Sequence, residues 1–182
     1  MTKYVVLLRG INVGGHKKVP MAELRELLTK SGFENVRTYI QSGNIILKSK
    51  DKSRRNLEKI IQKSIFDHFG FEVPVIVKTR AELNSIFEAC PFSQEKKENS
   101  YFIMLSDIPK SDVLNEVSNI TFKNEEFVII KDCLYFYSSA GYGKSNFNMN
   151  SFEKKLNVRA TARNYKTMVK LIAMSSKNEK DH

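Results

Sequence analysis

Tyr4-Val-Val-Leu-Leu8 is an apolar run without alternation, the pattern of a strand covered on both faces. Pro20 suits the first turn of a helix. Leu24, Leu27 and Leu28 form the stripe of that helix, and Gly32 closes it. Residues 36–40 read as a strand, Ser42-Gly43 as a turn, and residues 44–47 as the return strand of a hairpin. Leu57, Ile60, Ile61, Ile65 and Phe69 recur at helical spacing up to Gly70. Residues 73–77 are a fourth strand, and Pro74 places it at a sheet edge, because proline has no N–H to offer a neighbouring strand. The order is βαββαβ. Laid out as a plait it predicts a sheet ordered 4-1-3-2, with the two most apolar runs in the middle.

The order then recurs. Thr79-Arg-Ala-Glu82 has the residues of a capping box and opens a connecting helix that runs to Ala89. Residues 101–105 form a strand, and Val113, Leu114 and Val117 mark a helix. Residues 127–130 and 134–137 form a hairpin around Asp132-Cys133. A short helix over 152–156 and a short strand over 158–161 precede a final helix carrying Met168, Val169, Leu171, Ile172 and Ala173. Residues 94–99 are polar and read as an exposed loop. The expectation is an α+β fold of two ferredoxin-like (βαββαβ, alpha-beta plait) halves in tandem, with an extra C-terminal helix. The boundaries expected are 1–78 for the first domain, 79–176 for the second with its connecting and C-terminal helices, and 177–182 for a disordered tail.

Composition narrows the class. Apolar residues make up 41% of the 182, enough for a core. No run approaches the ~20 apolar residues of a membrane span. The N-terminal stretch has no charged-then-apolar leader, and two cysteines provide neither a disulfide framework nor metal spacing. A cytoplasmic protein without a bound metal is expected. The net charge of +10 is unevenly placed: residues 3–18 carry Lys3, Arg9, Lys17 and Lys18 with no acid, and residues 139–176 carry seven cations against Glu153 alone. The remainder is balanced. A localised excess points to an anionic partner, nucleic acid or nucleotide, if the cations converge, and is a solvated surface if they do not.

Both basic segments contain glycine loops. Arg9-Gly-Ile-Asn-Val-Gly-Gly-His-Lys-Lys18 lies between a strand and a helix, and Gly10, Gly14 and Gly15 let backbone N–H groups approach a ligand. Arg9, Asn12, Gly14, Gly15, Lys17 and Lys18 are therefore candidate anion-binding residues. The second loop is Ser138-Ser-Ala-Gly-Tyr-Gly-Lys-Ser145. Gly143-Lys144-Ser145 resembles the end of a nucleotide-binding P-loop, but that motif needs glycine where Ser138 stands, and the strand belongs to a hairpin. A looser nest of N–H groups with Lys144 is the alternative to a plain hinge. Arg159 and Arg163 can grip phosphates bidentately, with Asn164 favoured as a helix cap. Gln41 and Asn44 either read a base or sugar, or satisfy their own turn. Tyr101, Tyr135 and Tyr137, on two central strands, make a stacking platform if they face outward. His16, His68 and His182 are dispersed, and no catalytic triad, nucleophile elbow or carboxylate cluster is present.

Four stretches resemble a known family. Leu8-Arg-Gly-Ile-Asn-Val-Gly-Gly15, Val19-Pro-Met-Ala-Glu-Leu24, Thr38-Tyr-Ile-Gln-Ser-Gly-Asn44, and Thr161-Ala-Arg-Asn164 with Thr167 and Lys170-Leu171 are similar to the bacterial family called domain of unknown function 1697. The resemblance implies a pair of ferredoxin-like plaits and no established activity or cofactor. Tyr165 stands where the family tends to carry tryptophan, which keeps an aromatic and changes its size. The first expectation is a protein that binds a phosphate-bearing ligand between the two basic loops, with Arg9, Lys17, Lys18, Lys144 and Arg163 neutralising phosphates. One alternative is an enzyme on a small phosphorylated or carboxylated substrate, with His16 or Lys144 moving the proton. Another is a protein-interaction module using the tyrosine face.

Overall fold

The structure, a computed structural model, describes residues 1–176. The expectation of a tail at 177–182 lies outside the described residues. The fold is mixed α and β, with two four-stranded antiparallel sheets and helices packed on them. It divides into two compact units: Met1–Asn84 together with the described residues from Lys170, and Ser85–Val169. The division differs from the expected break after residue 78. It falls inside the connecting helix and again inside the last helix, because sequence patterning shows where a helix lies and not which core each of its turns joins.

The first unit contains β1 (Thr2–Leu8), α1 (Met21–Lys30), β2 (Glu34–Tyr39), β3 (Asn44–Ser49), α2 (Arg54–Phe69) and β4 (Val75–Thr79). The sheet order is β2-β3-β1-β4, which reads 4-1-3-2 from the other edge. β1 is buried on both faces, which explains its lack of alternation: Val5 and Leu7 are as covered as Val6 and Leu8. Val6, Leu8, Ile45 and Leu47 meet Leu24 and Leu28 of α1 and Leu57, Ile61 and Ile65 of α2 in one apolar cluster. Burying each such side chain contributes about 1.5–3 kcal/mol. Gly70 ends α2 in the left-handed conformation at φ +81°, with its N–H on the Phe66 carbonyl. Pro74 lies one residue before the edge strand β4, where its missing donor costs no ladder bond.

α3 (Arg80–Glu88) starts at the capping box the sequence predicts. The Thr79 N–H donates to Glu82 Oε2 at 2.8 Å, and the Glu82 N–H donates to Thr79 Oγ1 at 3.2 Å. The second unit continues with α4 (Gln94–Glu98), β5 (Tyr101–Leu105), α5 (Ser111–Ser118), β6 (Glu125–Ile130), β7 (Cys133–Ser138), a 3-10 turn (Tyr142–Lys144), α6 (Met149–Leu156), β8 (Ala160–Asn164) and α7 (Tyr165–Met174). The sheet order is β6-β7-β5-β8. Ile103, Leu105, Leu134 and Phe136 share a core with Phe147, Phe152 and Leu156.

Two changes of element assignment bear on the site residues. Residues 94–98, expected as loop, form α4, a short helix capped by Ser93 and held by Ser100 Oγ donating to the Lys96 carbonyl. Its polarity reflects an exposed helix and not irregular backbone. The last strand, expected over 158–161, runs over Ala160–Asn164, so that Arg163 is a strand residue opposite Phe102. Among the described residues no helix is long and apolar enough to cross a membrane.

Candidate functional site

The first glycine loop is fastened to the end of the first sheet. The Leu8 N–H donates to the Gly43 carbonyl at 2.8 Å, and the Arg9 N–H to the Pro74 carbonyl at 3.2 Å. Gly43 has φ +83°, and a Cβ there would lie 2.5 Å from the Leu8 Cβ, so both conformation and space demand glycine. Asn12 closes the loop. Its Oδ1 accepts from the Val19 N–H at 2.8 Å, while its Nδ2 donates to the carbonyls of Val19 (3.0 Å) and Gln41 (2.8 Å). The buried amide of Asn44 likewise donates to the Tyr39 carbonyl and to Ser42 Oγ. Both asparagine amides are thus occupied by backbone carbonyls, Asn44 within its own turn and Asn12 partly across to the hairpin turn.

At the loop tip the His16 N–H donates to the Val13 carbonyl, and Gly14 and Gly15 take positive φ at the surface. His16, Lys18 and Gln41 are exposed, and Arg9 is half-buried. Lys17 reaches away from the tip. Its Nζ donates to the Glu72 carbonyl at 2.8 Å and lies 5.9 Å from the centre of the Phe71 ring. The loop is a braced, basic feature whose tip is exposed at the surface.

The second glycine loop uses its own donors. The Gly141 N–H bonds the Ser138 carbonyl, the Lys144 N–H the Gly141 carbonyl, and the Ser145 N–H the Tyr142 carbonyl. These amides close a 3-10 turn, so the backbone N–H groups of Lys144 and Ser145 already have carbonyl partners. Gly143, Lys144 and Ser145 also lie outside the lining of the adjacent pocket.

That pocket, of about 560 Å³, opens where β5 starts and where β7 and β8 end. Its size is within the range of small-molecule sites. Antiparallel pairing places Tyr101 opposite Asn164 and Phe136, so three strand ends meet there. Aromatic walls come from Tyr101, Tyr137, Tyr142 and Tyr165. The Tyr101 and Tyr142 rings stack with centroids 4.1 Å apart. Lys166 contributes a cation beside the first turn of α7, where unsatisfied N–H groups and the helix dipole favour negative charge. Asn164 caps that turn, its Oδ1 accepting from the Thr167 N–H at 2.9 Å. Glu98, also on the rim, accepts from Gln94 Nε2 at 2.9 Å.

The tyrosine platform takes a different form from the one expected. Tyr101 shares a face with its partner Phe136, whereas Tyr135 and Tyr137 point to the other face, because neighbouring residues of a strand alternate. Tyr135 is buried, and its hydroxyl donates to the Ile86 carbonyl at 2.6 Å. Burial, with Cys133 adding, pushes its hydroxyl pKa well above the ordinary tyrosine value. Tyr101 and Tyr137 meet at the sheet end, from opposite faces.

The arginines also separate from the pocket. Arg163 is 7% exposed, and its Nη1 donates to Thr161 Oγ1 (2.7 Å) and the Ala162 carbonyl (2.8 Å). Burial lowers its pKa to about 10. It remains a cation at neutral pH but does not line the pocket. Arg159 precedes the far end of β8, where its N–H and carbonyl pair with Ser106. At ~3.3 Å per residue it sits on the order of 16 Å along the strand from Asn164. Among the candidate anion-binding residues Asn164 alone lines the pocket, joined there by Tyr101 and Tyr137 of the expected stacking platform. Lys166, Tyr142 and Ser138 were missed as site residues, since only the strand register brings them together. Among the described residues no group of three His, Cys, Asp or Glu is placed to hold a metal ion.

Comparison with known proteins follows the same fold. The structure of a conserved bacterial protein from Streptococcus pneumoniae is similar over 96% of this chain and 99% of that one, with a TM-score of 0.73 and 28% sequence identity. No curated protein matches the chain. A family profile described as "Protein of unknown function (DUF1697)" matches residues 1–135, well over half of the chain. The chain belongs to that family.

Proposed function

We propose that the protein, two ferredoxin-like halves in the cytoplasm, binds a phosphate-bearing ligand of the nucleotide class in the second-unit pocket. The observation that carries this reading is the pairing, in one pocket of about 560 Å³, of aromatic walls with Lys166 at the start of a ten-residue helix. A phosphate is held by Lys166 and the first-turn N–H groups of α7. A planar base stacks on the tyrosine rings, an interaction that tolerates any base. The seat differs from the one expected from the sequence: it lies beside the second basic loop, and the loop's own lysine takes no part. The basic first loop adds long-range attraction for anions without itself forming the seat.

Thermal unfolding of the purified protein with nucleoside monophosphates and short RNA, at low and moderate salt, tests the reading. A ligand at ~100 times its Kd adds about 2.7 kcal/mol of stability. Monophosphates should raise the midpoint of the wild type and have little effect on Lys166→Ala. Silence from every phosphorylated compound, or equal shifts in both proteins, would sink the reading.

A further inference from the structure

One residue on the lining of this pocket, and its neighbour across the strand pair, carry unsatisfied polar atoms. Ser138, on the lining, is 7% exposed, and its Oγ is buried with no hydrogen-bond partner. Directly across the β6–β7 pair stands Glu125. Its Oε1 accepts from the Asn146 N–H at 2.8 Å and holds the end of the second loop, while its Oε2 is buried with no partner. Leaving a buried hydroxyl or carboxylate oxygen unpaired is costly, and such groups in native proteins ordinarily have a partner that completes them. Here two orphans occupy facing positions of one strand pair. A hydroxyl can both donate and accept, whereas a carboxylate oxygen only accepts. Their natural complement is a group that gives a proton to Glu125 and takes one from Ser138, which is what an alcohol does.

We propose that Ser138 and Glu125 form a hydroxyl-reading subsite, so that the pocket selects a sugar phosphate unit with a free ribose hydroxyl, a ribonucleoside monophosphate, over its dideoxy counterpart. This rests on the phosphate-binding reading of the same pocket and adds the sugar to it. Lys166 and the α7 N-terminus take the phosphate, the tyrosines take the base, and the strand pair takes the sugar hydroxyl. The carboxylate also works against binding a continuous polyanion at this point, since a second phosphate near Glu125 would be repelled. The preferred ligand is therefore a single nucleotide and not a strand.

Calorimetric titration with ribonucleoside 5′-monophosphates, their 2′,3′-dideoxy counterparts and inorganic phosphate tests this. The wild type should bind the ribonucleotide about tenfold or more tighter than the dideoxy form, the effect of losing a hydroxyl that donates to a carboxylate. Ser138→Ala and Glu125→Gln should each reduce that ratio to near one. Ser138→Ala should also leave the unfolding midpoint of the ligand-free protein unchanged or raise it, because its hydroxyl has no partner within the protein and its burial unpaired is costly. Equal affinity for ribo and dideoxy forms in the wild type would overturn the subsite and leave the phosphate reading standing. Absence of any phosphate or nucleotide binding would overturn both. A lowered midpoint in Ser138→Ala with the ribo-to-dideoxy ratio intact would mean that the hydroxyl completes a structural water, and would overturn the subsite as well.

Discussion

At the scale of single residues, Gly43 makes the sharpest stability prediction. Its positive φ and the 2.5 Å approach of a Cβ to Leu8 act together. Gly43→Ala should destabilise the protein by about 2–3 kcal/mol, measured by denaturant unfolding. Tyr135 makes a pH prediction. Its hydroxyl is held neutral in the fold by burial, so the unfolded chain ionises first. The contribution to stability is complete below the ordinary tyrosine value of about 10 and is lost as pH rises above it. Tyr135→Phe should lose about 1 kcal/mol at neutral pH and show a shallower fall in stability between pH ~9 and 11. The asparagines mark the limit of legibility at this scale. Asn12 and Asn44 have the amide chemistry that reads a base or a sugar, and the same chemistry closes a turn. Sequence alone does not say which donor finds a carbonyl first, and the structure places the Asn44 amide on its own turn and the Asn12 amide on the carbonyls of Val19 and Gln41.

At the scale of elements, local signals with a complete mechanism were legible. The capping box at Thr79 needs only residues three apart, and both reciprocal bonds form. Thr79→Ala should cost about 1 kcal/mol in thermal or denaturant unfolding, with α3 fraying faster in hydrogen exchange. The apolar runs of β1 and β3 and the proline beside the edge strand β4 were equally readable, because burial and hydrogen bonding there follow the chain directly. The elements that shifted depend on partners distant in sequence. α4 reads as loop since it buries nothing, and what holds it is its cap, Ser100 and the ion pair of Lys96 with Glu126. β8 begins two residues later than its apolar signal suggests because pairing with β5 sets its register. That shift moves Arg163 from a loop, where it would meet a ligand, into a strand where it is buried.

At the scale of the whole molecule, the charge excess was visible in the sequence and the pocket proposed as the seat for an anion was not. The glycines and cations of residues 9–18 and 138–145 identify basic loops, but loop composition does not show whether a concavity exists. The concavity arises where Tyr101, Ser138 and Asn164, far apart in the chain, end their strands together. Lys166 belongs to it by position on α7, whereas Lys144, in the more conspicuous motif, closes a surface turn. Equilibrium dialysis of a labelled ribonucleoside monophosphate against wild type, Lys166→Ala and Lys144→Ala measures this distinction. Loss of a charge-assisted contact should weaken binding to Lys166→Ala about tenfold or more, with Lys144→Ala within about twofold of wild type. Equal losses in the two variants, or a loss confined to Lys144→Ala, would contradict a seat at the start of α7.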